Sequence, residues 1–436
     1  MTDLPRPPER ERALGLRCYG TSTPGTGGRI KARPEEFEVR EISAHPVPDE
    51  SGGFTILRIE STMREQHALV AELSRLLGVG PGAIGWAGTK DRRAVTEQLF
   101  SVHAVDLPLD RLERPGLRLL DAYRAGSGLV LGHHFGNRFR IRVVDVLLGP
   151  AEAQSAAEST AAALRAAGGV PNYFGLQRFG EVRPVTHLVG LALLRGDVSA
   201  AVETYLAAEA GEETGPGAEA RRSWRRHHDP ARALREFPSS YLFERRMLDH
   251  LARGHDPERA LRSLPRELRV LFVHAYQSWL FNEYLSQRIE GGSLLGVLEP
   301  GETLLRVAKD GTVPGTGAVP VTADNLVELT ELVRRGGAVR AGPLVGFGME
   351  PLNEPTRALV APLLTRDGLE LRNFRMPAIP ELASEGRWRP LLCPWPTIAL
   401  RFPAAPEAAV DRAYELEFAL PKGAYATVVL REFTKN

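Results

Sequence analysis

Two stretches far apart in the chain alternate between apolar and polar residues, and this feature constrains the fold most. From Arg138 to Val143, three apolar side chains alternate with three arginines. From Tyr414 to Leu420, apolar and aromatic side chains alternate with two glutamates. A period of two is typical of a strand with one buried face, most often in an antiparallel sheet. Such strands near both ends, with helical patterns between them, predict an α+β protein whose first domain is completed by the C-terminal residues.

Helical periodicity accounts for much of the remaining chain. Apolar residues at helical spacing predict a helix through 69–77, ended by Gly78. An alanine-rich helix is predicted over 151–167, and the longest helix over about 268–289. Residues 1–27 are rich in Pro, Gly, Thr and Arg, and we expect them to form a flexible lead-in.

Composition excludes several classes of protein. The 436 residues are 43% hydrophobic and 25% charged, which is ordinary for a globular protein with a full core. No apolar run approaches the roughly 18 residues of a membrane span, and residues 1–12 lack the apolar core of a signal peptide. Two cysteines, Cys18 and Cys393, exclude a disulfide framework, so we expect a reduced cytoplasmic location. The histidine pairs at 133–134 and 227–228 lack ligand spacing, so we expect no metal site.

Asp91 is the candidate catalytic carboxylate. It follows a short apolar run and a Gly-Thr-Lys turn, and it is flanked by Lys90, Arg92 and Arg93. A carboxylate among cations stays ionised, and in that state it can act as a nucleophile. The alternative is an aspartate that caps a helix N-terminus, and spacing alone favours that alternative. A phosphate-binding P-loop is excluded because no Ser or Thr follows the lysine.

A segment at 172–180 packs aromatic rings, amides and an arginine between glycines. These groups suit stacking and edge contacts with single-stranded RNA, and a packed interdomain loop accounts for them equally well. The candidate RNA contacts are Arg92, Asn172, Phe174, Gln177 and Arg178. The arginine-rich run at 221–228 resembles a phosphate-binding patch, although such a run is usually a solvated helix face.

Six stretches together resemble the TruD family of tRNA pseudouridine synthases. Three of them are long and specific: AGTKDRRAVTEQ around Asp91, VPNYFGLQRFG at 170–180, and LPKGAYATVVLRE near the end. The supporting stretches are GGRIKARPEEFEVREI at 27–42, GNRFRIRV at 136–143 and QSWLFNEYLSQRI at 277–289. They follow the family's order along nearly the whole chain, which is longer than the bacterial members and more like the archaeal and eukaryotic ones.

The resemblance implies a fold and a division of the chain. The expected α+β fold has a catalytic domain with a mixed, mainly antiparallel sheet flanked by helices, built from 1–170 and 386–436. A large α/β insertion domain at 171–385 is expected to form the second wall of an RNA-binding cleft.

The resemblance also implies an activity, the isomerisation of a specific uridine in tRNA, uridine 13, to pseudouridine. The partner would be tRNA, with no cofactor, no metal, no membrane and no obligate protein partner, and we expect a monomer. Asp91 would be the catalytic aspartate and Lys31, of GRIKARP, its basic partner. The implied substrate-binding residues are Phe37, Asn137, Phe139 and Tyr425.

The same residues also allow alternatives to this function. By its place in the alternating strand alone, Phe139 is a core residue. The same fold could serve a non-catalytic RNA-binding protein, although the presence of Asp91, Lys31 and Phe139 together argues against that function. A glycoside hydrolase would need a second carboxylate near the nucleophile, and Glu97 is the nearest in sequence.

Overall fold

The computed structural model describes residues 5–43, 46–209, 213–292, 294, 297–308, 312–349, 352–394, 397–404 and 412–436. The chain folds as two compact units. The first contains Thr21–Val170 and Cys393–Asn436, and the second contains Arg6–Gly20 and Pro171–Leu392. Both units are therefore discontinuous in sequence.

Strands dominate the first unit and helices the second. The strands are β1 (Phe37–Ile42), β2 (Phe54–Thr62), β3 (Ile84–Trp86), β4 (Val95–Val102), β5 (Leu117–Ala125), β6 (Gly136–Val143), β7 (Gly169–Pro171), β8 (Thr303–Arg306), β9 (Val319–Pro320), β10 (Ala338–Leu344), β11 (Arg387–Pro390), β12 (Leu392–Pro394), β13 (Ala399–Arg401) and β14 (Tyr414–Pro421). The helices are α1 (Glu9–Arg12), α2 (Gln66–Leu77), α3 (Pro150–Ala166), α4 (Thr186–Leu194), α5 (Val198–Ala207), α6 (Pro216–His227), α7 (Pro230–Glu236), α8 (Leu242–Ala252), α9 (Pro257–Arg262), α10 (Arg266–Glu290), α11 (Leu326–Arg334), α12 (Glu354–Arg366) and α13 (Ala426–Thr434).

An eight-stranded sheet forms the first unit. Its strand order is β13-β14-β6-β1-β4-β2-β5, and β3 pairs with β4. Among the described pairs of this sheet, β1 and β4 run parallel and the other pairs run antiparallel. The prediction of an α+β fold with a mixed, mainly antiparallel sheet flanked by helices is confirmed.

The two faces of this sheet differ in chemistry, as the alternating strands predict. On one face, helix α2 packs Leu73 against Leu57 and Phe100, and all three side chains are fully buried. The other face has arginines and glutamates that pair across the strands, such as Arg140 with Glu415 at 3.2 Å. Alternate positions along a strand therefore have different surroundings. One set of side chains packs against helices, and the other set carries the charged pairs.

Helix α10 is the long buried helix of the second unit, where a four-stranded sheet in the order β11-β10-β8-β9 also lies. Asn282 lies in the middle of α10 and is fully buried. No described helix of the protein, α10 included, combines the length and the apolar character needed to cross a membrane.

Residues 6–20 belong to the second unit. The prediction of a flexible lead-in is therefore wrong for them. The expected division of the chain also differs here, because it placed these residues in the catalytic domain with the rest of 1–170. Leu14 and Leu16 are each 1% exposed. The carbonyl oxygen of Leu14 accepts a hydrogen bond from Nδ2 of Asn282 at 3.0 Å, across 268 positions of sequence. Local composition carries no information on such a distant partner. Residues 1–4 lie outside the described residues.

We predict that Asn282→Leu destabilises the second unit. Oδ1 of Asn282 accepts from the amide of Phe174 at 2.8 Å, and Nδ2 donates to the carbonyl oxygens of Leu14 and Phe174, both at 3.0 Å. Leucine would leave three buried backbone groups without these partners, and each such loss costs about 1–3 kcal/mol. Urea unfolding should show a loss of about 3 kcal/mol or more. Gln287→Leu, at a half-buried position of the same helix, is the matched control and should change stability little.

A second prediction concerns acid stability. His187 in α4 is 8% exposed and lies against Phe179, and burial lowers its pKa from 6.5 to about 4. The unfolded chain binds a proton at His187 more readily than the folded chain does. The free energy of unfolding is therefore unaffected by this histidine above pH 6.5, and it decreases as the pH falls towards 4. The decrease amounts to about 3 kcal/mol. His187→Phe should flatten the fall in unfolding free energy between pH 7 and 4, whereas His227→Phe, at an exposed position of α6, should leave it as steep as in the wild type.

Candidate active site

Lys31 and Asp91 form an ion pair, with Nζ and Oδ1 2.9 Å apart. Asp91 lies in the loop between β3 and β4, and its side chain is 28% exposed, so the carboxylate is accessible from outside. This loop leads into a strand, and therefore the alternative of a helix-capping aspartate is wrong. The structure brings together the two residues that the sequence resemblance implied as catalytic partners.

Lys31 is held by its backbone and by two attractions on its ammonium group. Two residues earlier, Arg29 and Val144 exchange backbone hydrogen bonds of 2.7 and 2.9 Å. Lys31 itself adopts a left-handed conformation with φ +58°, which is unfavourable for a residue with a side chain. Its Nζ lies 4.3 Å from the ring centroid of Phe37, a cation–π distance, in addition to the contact with Asp91. The position of the ammonium is thus defined from two sides.

Phe37, Asn137 and Phe139 lie on one face of the paired strands β1 and β6. The Phe37 and Phe139 centroids are 6.2 Å apart with the rings edge to face, and Phe139 stacks on Phe418 at 5.5 Å. Phe37 is fully buried and Phe139 is 6% exposed, so both rings pack as core residues do. Tyr425 is half-buried at the N-cap position of α13.

A second ion pair lies beside the first, and sequence analysis did not identify it. Nζ of Lys90 is 2.5 Å from Oε2 of Glu41, and these side chains are 4% and 1% exposed. Lys90 directly precedes Asp91, and the sequence alone predicts that its charge lies beside that aspartate. A compositional signal was present, since the chain has 55 basic residues, of which five are lysines, and two of those five form these pairs.

The loop that carries Asp91 is also fixed through its backbone. Nδ1 of His134 lies 3.0 Å from the carbonyl oxygen of Ala87. Burial, and then the charge of Lys90, hold the pKa of His134 below its ordinary value, so the neutral ring donates from Nδ1 to this carbonyl. A side chain at Gly88 would meet Cε1 of His134 at 2.8 Å, and only glycine leaves the ring room to lie there.

Asn172 and Phe174, two of the candidate RNA contacts, are packed within the second unit. They are 8% and 6% exposed. The guanidinium of Arg389 lies 4.1 Å from the Phe174 centroid, and its NH2 group donates to Oδ1 of Asn172 at 2.6 Å. These contacts are those of a packed loop, which was the alternative for this segment.

The other candidate RNA contacts are more accessible. Arg92 and Gln177 are exposed, and Arg178 is half-buried with Nε donating to Oγ of Ser278 at 3.1 Å. Among the described residues, no group of three or more His, Cys, Asp and Glu side chains is placed to hold a metal ion.

Arg221 is not part of a surface patch. Its side chain is 1% exposed and forms ion pairs with Glu213 at 2.9 Å and Glu244 at 2.6 Å. A buried guanidinium requires such partners, and they leave it unavailable to phosphate. The run at 221–228 therefore contains a structural arginine that its composition did not distinguish from the exposed ones.

The chain resembles known proteins along almost its full length. Residues 13–433 match the family model described as tRNA pseudouridine synthase D (TruD). A relative from Methanococcoides burtonii, named probable tRNA pseudouridine synthase D, is 33% identical over 98% of each chain. A relative of the same name from Halobacterium salinarum is 37% identical over 98% of this chain and 97% of its own. The crystal structure of a TruD protein from Methanosarcina mazei matches with a TM-score of 0.82 and 33% identity over 98% of both chains.

The mixed sheet and these matches define the class of protein as a pseudouridine synthase, an isomerase that acts on RNA. Within this class, the chain belongs to the tRNA pseudouridine synthase D (TruD) family. The family expected from the sequence motifs is thereby confirmed.

We predict that Phe139→Ala lowers stability as well as activity. The ring packs against Phe37 and Phe418, and removing a buried phenylalanine typically costs about 3–5 kcal/mol. Urea unfolding measures the loss, and Leu120→Ala, at an exposed position of the same sheet, should change little. A Phe139→Ala protein of nearly wild-type stability that has lost its turnover would show that the ring serves substrate rather than the core.

Proposed function

We propose that this enzyme converts uridine 13 of tRNA into pseudouridine, with Asp91 as its catalytic carboxylate. The observation that carries the proposal is the accessible Asp91 carboxylate, 2.9 Å from the Lys31 ammonium, in the GTKD loop of a TruD-family fold. The first unit would be the catalytic domain and the second the family's insertion domain.

The reaction requires a group that acts while the base is detached. The bond from C1′ to N1 breaks, the uracil turns, and a bond from C1′ to C5 forms. The hydrogen on C5 leaves as a proton and N1 gains one, so atoms and electrons balance without an oxidant or a reductant. An ionised aspartate could attack the sugar, attack the base or remove a ribose proton.

Lys31 would orient Asp91, because its ammonium contacts the carboxylate at 2.9 Å. The pair is partly exposed, so solvent screens its attraction, and its main effect would be on orientation rather than on stability. The cation–π contact with Phe37 and the left-handed backbone at Lys31 support this function.

The remaining predicted residues would bind the RNA. The target base must leave its stack, which costs a few kcal/mol and has to be offset by contacts in the site. Asn137 would bind the edge of the uracil, and Phe139 and Tyr425 would provide aromatic surface. Exposed Arg92 adjoins Asp91 and could contact a neighbouring phosphate, and Gln177 and Arg178 would contact RNA from the second unit.

Asp91→Asn tests the catalytic assignment. Asparagine keeps the size of the side chain and loses the anion, so the variant should fold, bind tRNA with near-normal affinity and form no detectable pseudouridine. Lys31→Met should lose most of the turnover, because Asp91 then has no ammonium group beside it at this position. The measurement is pseudouridine in an unmodified tRNA transcript, quantified by mass spectrometry and mapped to its position. Asp121→Asn, at an exposed position on β5, should behave as wild type.

Three results would overturn parts of this proposal. Near-wild-type turnover of Asp91→Asn would remove the catalytic function from Asp91. Product at a position other than 13 would correct the target. If the wild-type protein binds tRNA but forms no pseudouridine, the alternative of a non-catalytic RNA-binding protein on the same fold would be correct.

A further inference from the structure

Three buried side-chain oxygens on strands of the eight-stranded sheet have no hydrogen-bond donor among the described residues. They are Oε1 of Glu41, Oε1 of Gln98 and Oδ1 of Asn137. They belong to β1, β4 and β6, which are neighbours in the sheet. Because nearly all buried polar atoms in native proteins are paired, a group of three acceptors on adjacent strands requires a physical cause.

Glu41 and Asn137 are direct cross-strand partners in the antiparallel pair of β1 and β6. Side chains at such positions lie on the same face with their Cβ atoms about 4.5–5.5 Å apart. Oε1 of Glu41 and Oδ1 of Asn137 are both acceptors, so neither can supply a hydrogen to the other. A turn of about 180° in the terminal amide exchanges Oδ1 with Nδ2 and places a donor opposite Glu41.

Gln98 is less suited to supply this donor. Its Nε2 already donates to the carbonyl oxygen of Gly88, at 3.4 Å, in the loop that carries Asp91. For Asn137, the turned amide provides the missing donor to Glu41 and also relieves its own buried oxygen. Asn137 is therefore the amide that satisfies two of the three acceptors in one change.

We propose that Glu41 is a positioning residue that connects Asp91 with Asn137. Its Oε2 accepts from Lys90 at 2.5 Å, which holds the residue before Asp91, and its Oε1 accepts from Nδ2 of Asn137. Oδ1 of Asn137 then faces away from Glu41 as an acceptor. This inference rests on the proposed function, because such an acceptor fits the N3–H of uracil, whereas cytosine has no hydrogen at that position. Glu41 thereby sets the preference for uridine without touching it.

Glu41→Gln tests this function with a nearly isosteric change. The new amide keeps an oxygen for Lys90 and offers an N–H to Asn137, which then turns Oδ1 inward and presents a donor to the base. Turnover should fall roughly a hundredfold, as when one oriented hydrogen bond of an active site is lost. KM for tRNA should stay within about twofold, because phosphate contacts dominate RNA affinity. Glu38→Gln is the control, since Glu38 lies on the opposite face of β1 and pairs with Arg140 at 3.5 Å. Equal turnover of the two variants would overturn the proposal.

A paired substitution distinguishes orientation from a general structural effect. Asn137→Asp places two carboxylates opposite each other and should lower turnover more than Glu41→Gln does. In the double variant, the glutamine accepts from Lys90 and donates to the aspartate, whose other oxygen again faces out as an acceptor. Turnover should recover at least about tenfold over Asn137→Asp, with a matching rise in melting temperature. A double variant no better than Asn137→Asp would overturn the proposal.

Substrate analogues report on the acceptor directly. A tRNA with N3-methyluridine at the target position lacks the N3–H, so the wild type should lose roughly a hundredfold in turnover on it. Glu41→Gln should discriminate between the two substrates less than tenfold, and unchanged discrimination would contradict the proposal. A wild type that forms no pseudouridine from ordinary tRNA would refute the proposed function itself. An active wild type whose Glu41 and Asn137 substitutions are uncoupled would refute only the function of Glu41.

Discussion

The placement of β1 between β4 and β6 is the constraint on which the whole site depends. β1 and β4 run parallel, with Glu38 opposite Val95. The segments before two parallel strands emerge at the same edge of a sheet, so Lys31, which precedes β1, and Asp91, which precedes β4, arrive at one place. The antiparallel partner β6 adds Asn137 and Phe139 on the face that carries Phe37. One central strand thus collects residues from three distant parts of the sequence.

The two ion pairs of this site differ in their exposure to solvent. The Lys31–Asp91 pair is partly exposed, with 28% of the Asp91 side chain accessible. The Glu41–Lys90 pair is almost fully buried, and burying two charges is costly enough that such pairs rarely add stability. We infer that its benefit is geometric, since it fixes the residue adjacent to Asp91. A lysine suits both places because its ammonium is a compact charge on a flexible stem, whereas most cations of this chain are planar guanidinium groups.

The prediction of secondary structure from sequence succeeded where the signal was local. Period-two alternation identified β6 and β14, and helical spacing identified α2, α3 and the long α10. Hydrophobic periodicity reflects which face of an element is buried, and it is complete within a few residues. Residues 6–20 and Arg221 were misjudged for the opposite reason. Their partners lie in other elements, so their composition resembled that of a mobile segment and of a solvated surface.

The sequence by itself determined the fold class, the family and the candidacy of Lys31 and Asp91, because the motifs that carry them are contiguous and specific. The tertiary structure decided how close those two side chains lie, and it excluded the helix cap that spacing had favoured for Asp91. It also showed that Lys90 pairs with Glu41 and that Asn172 and Phe174 are buried. The physical reason is that charge pairing and burial depend on strand order and register. Those are set by contacts between residues far apart in the chain, and no local pattern encodes them.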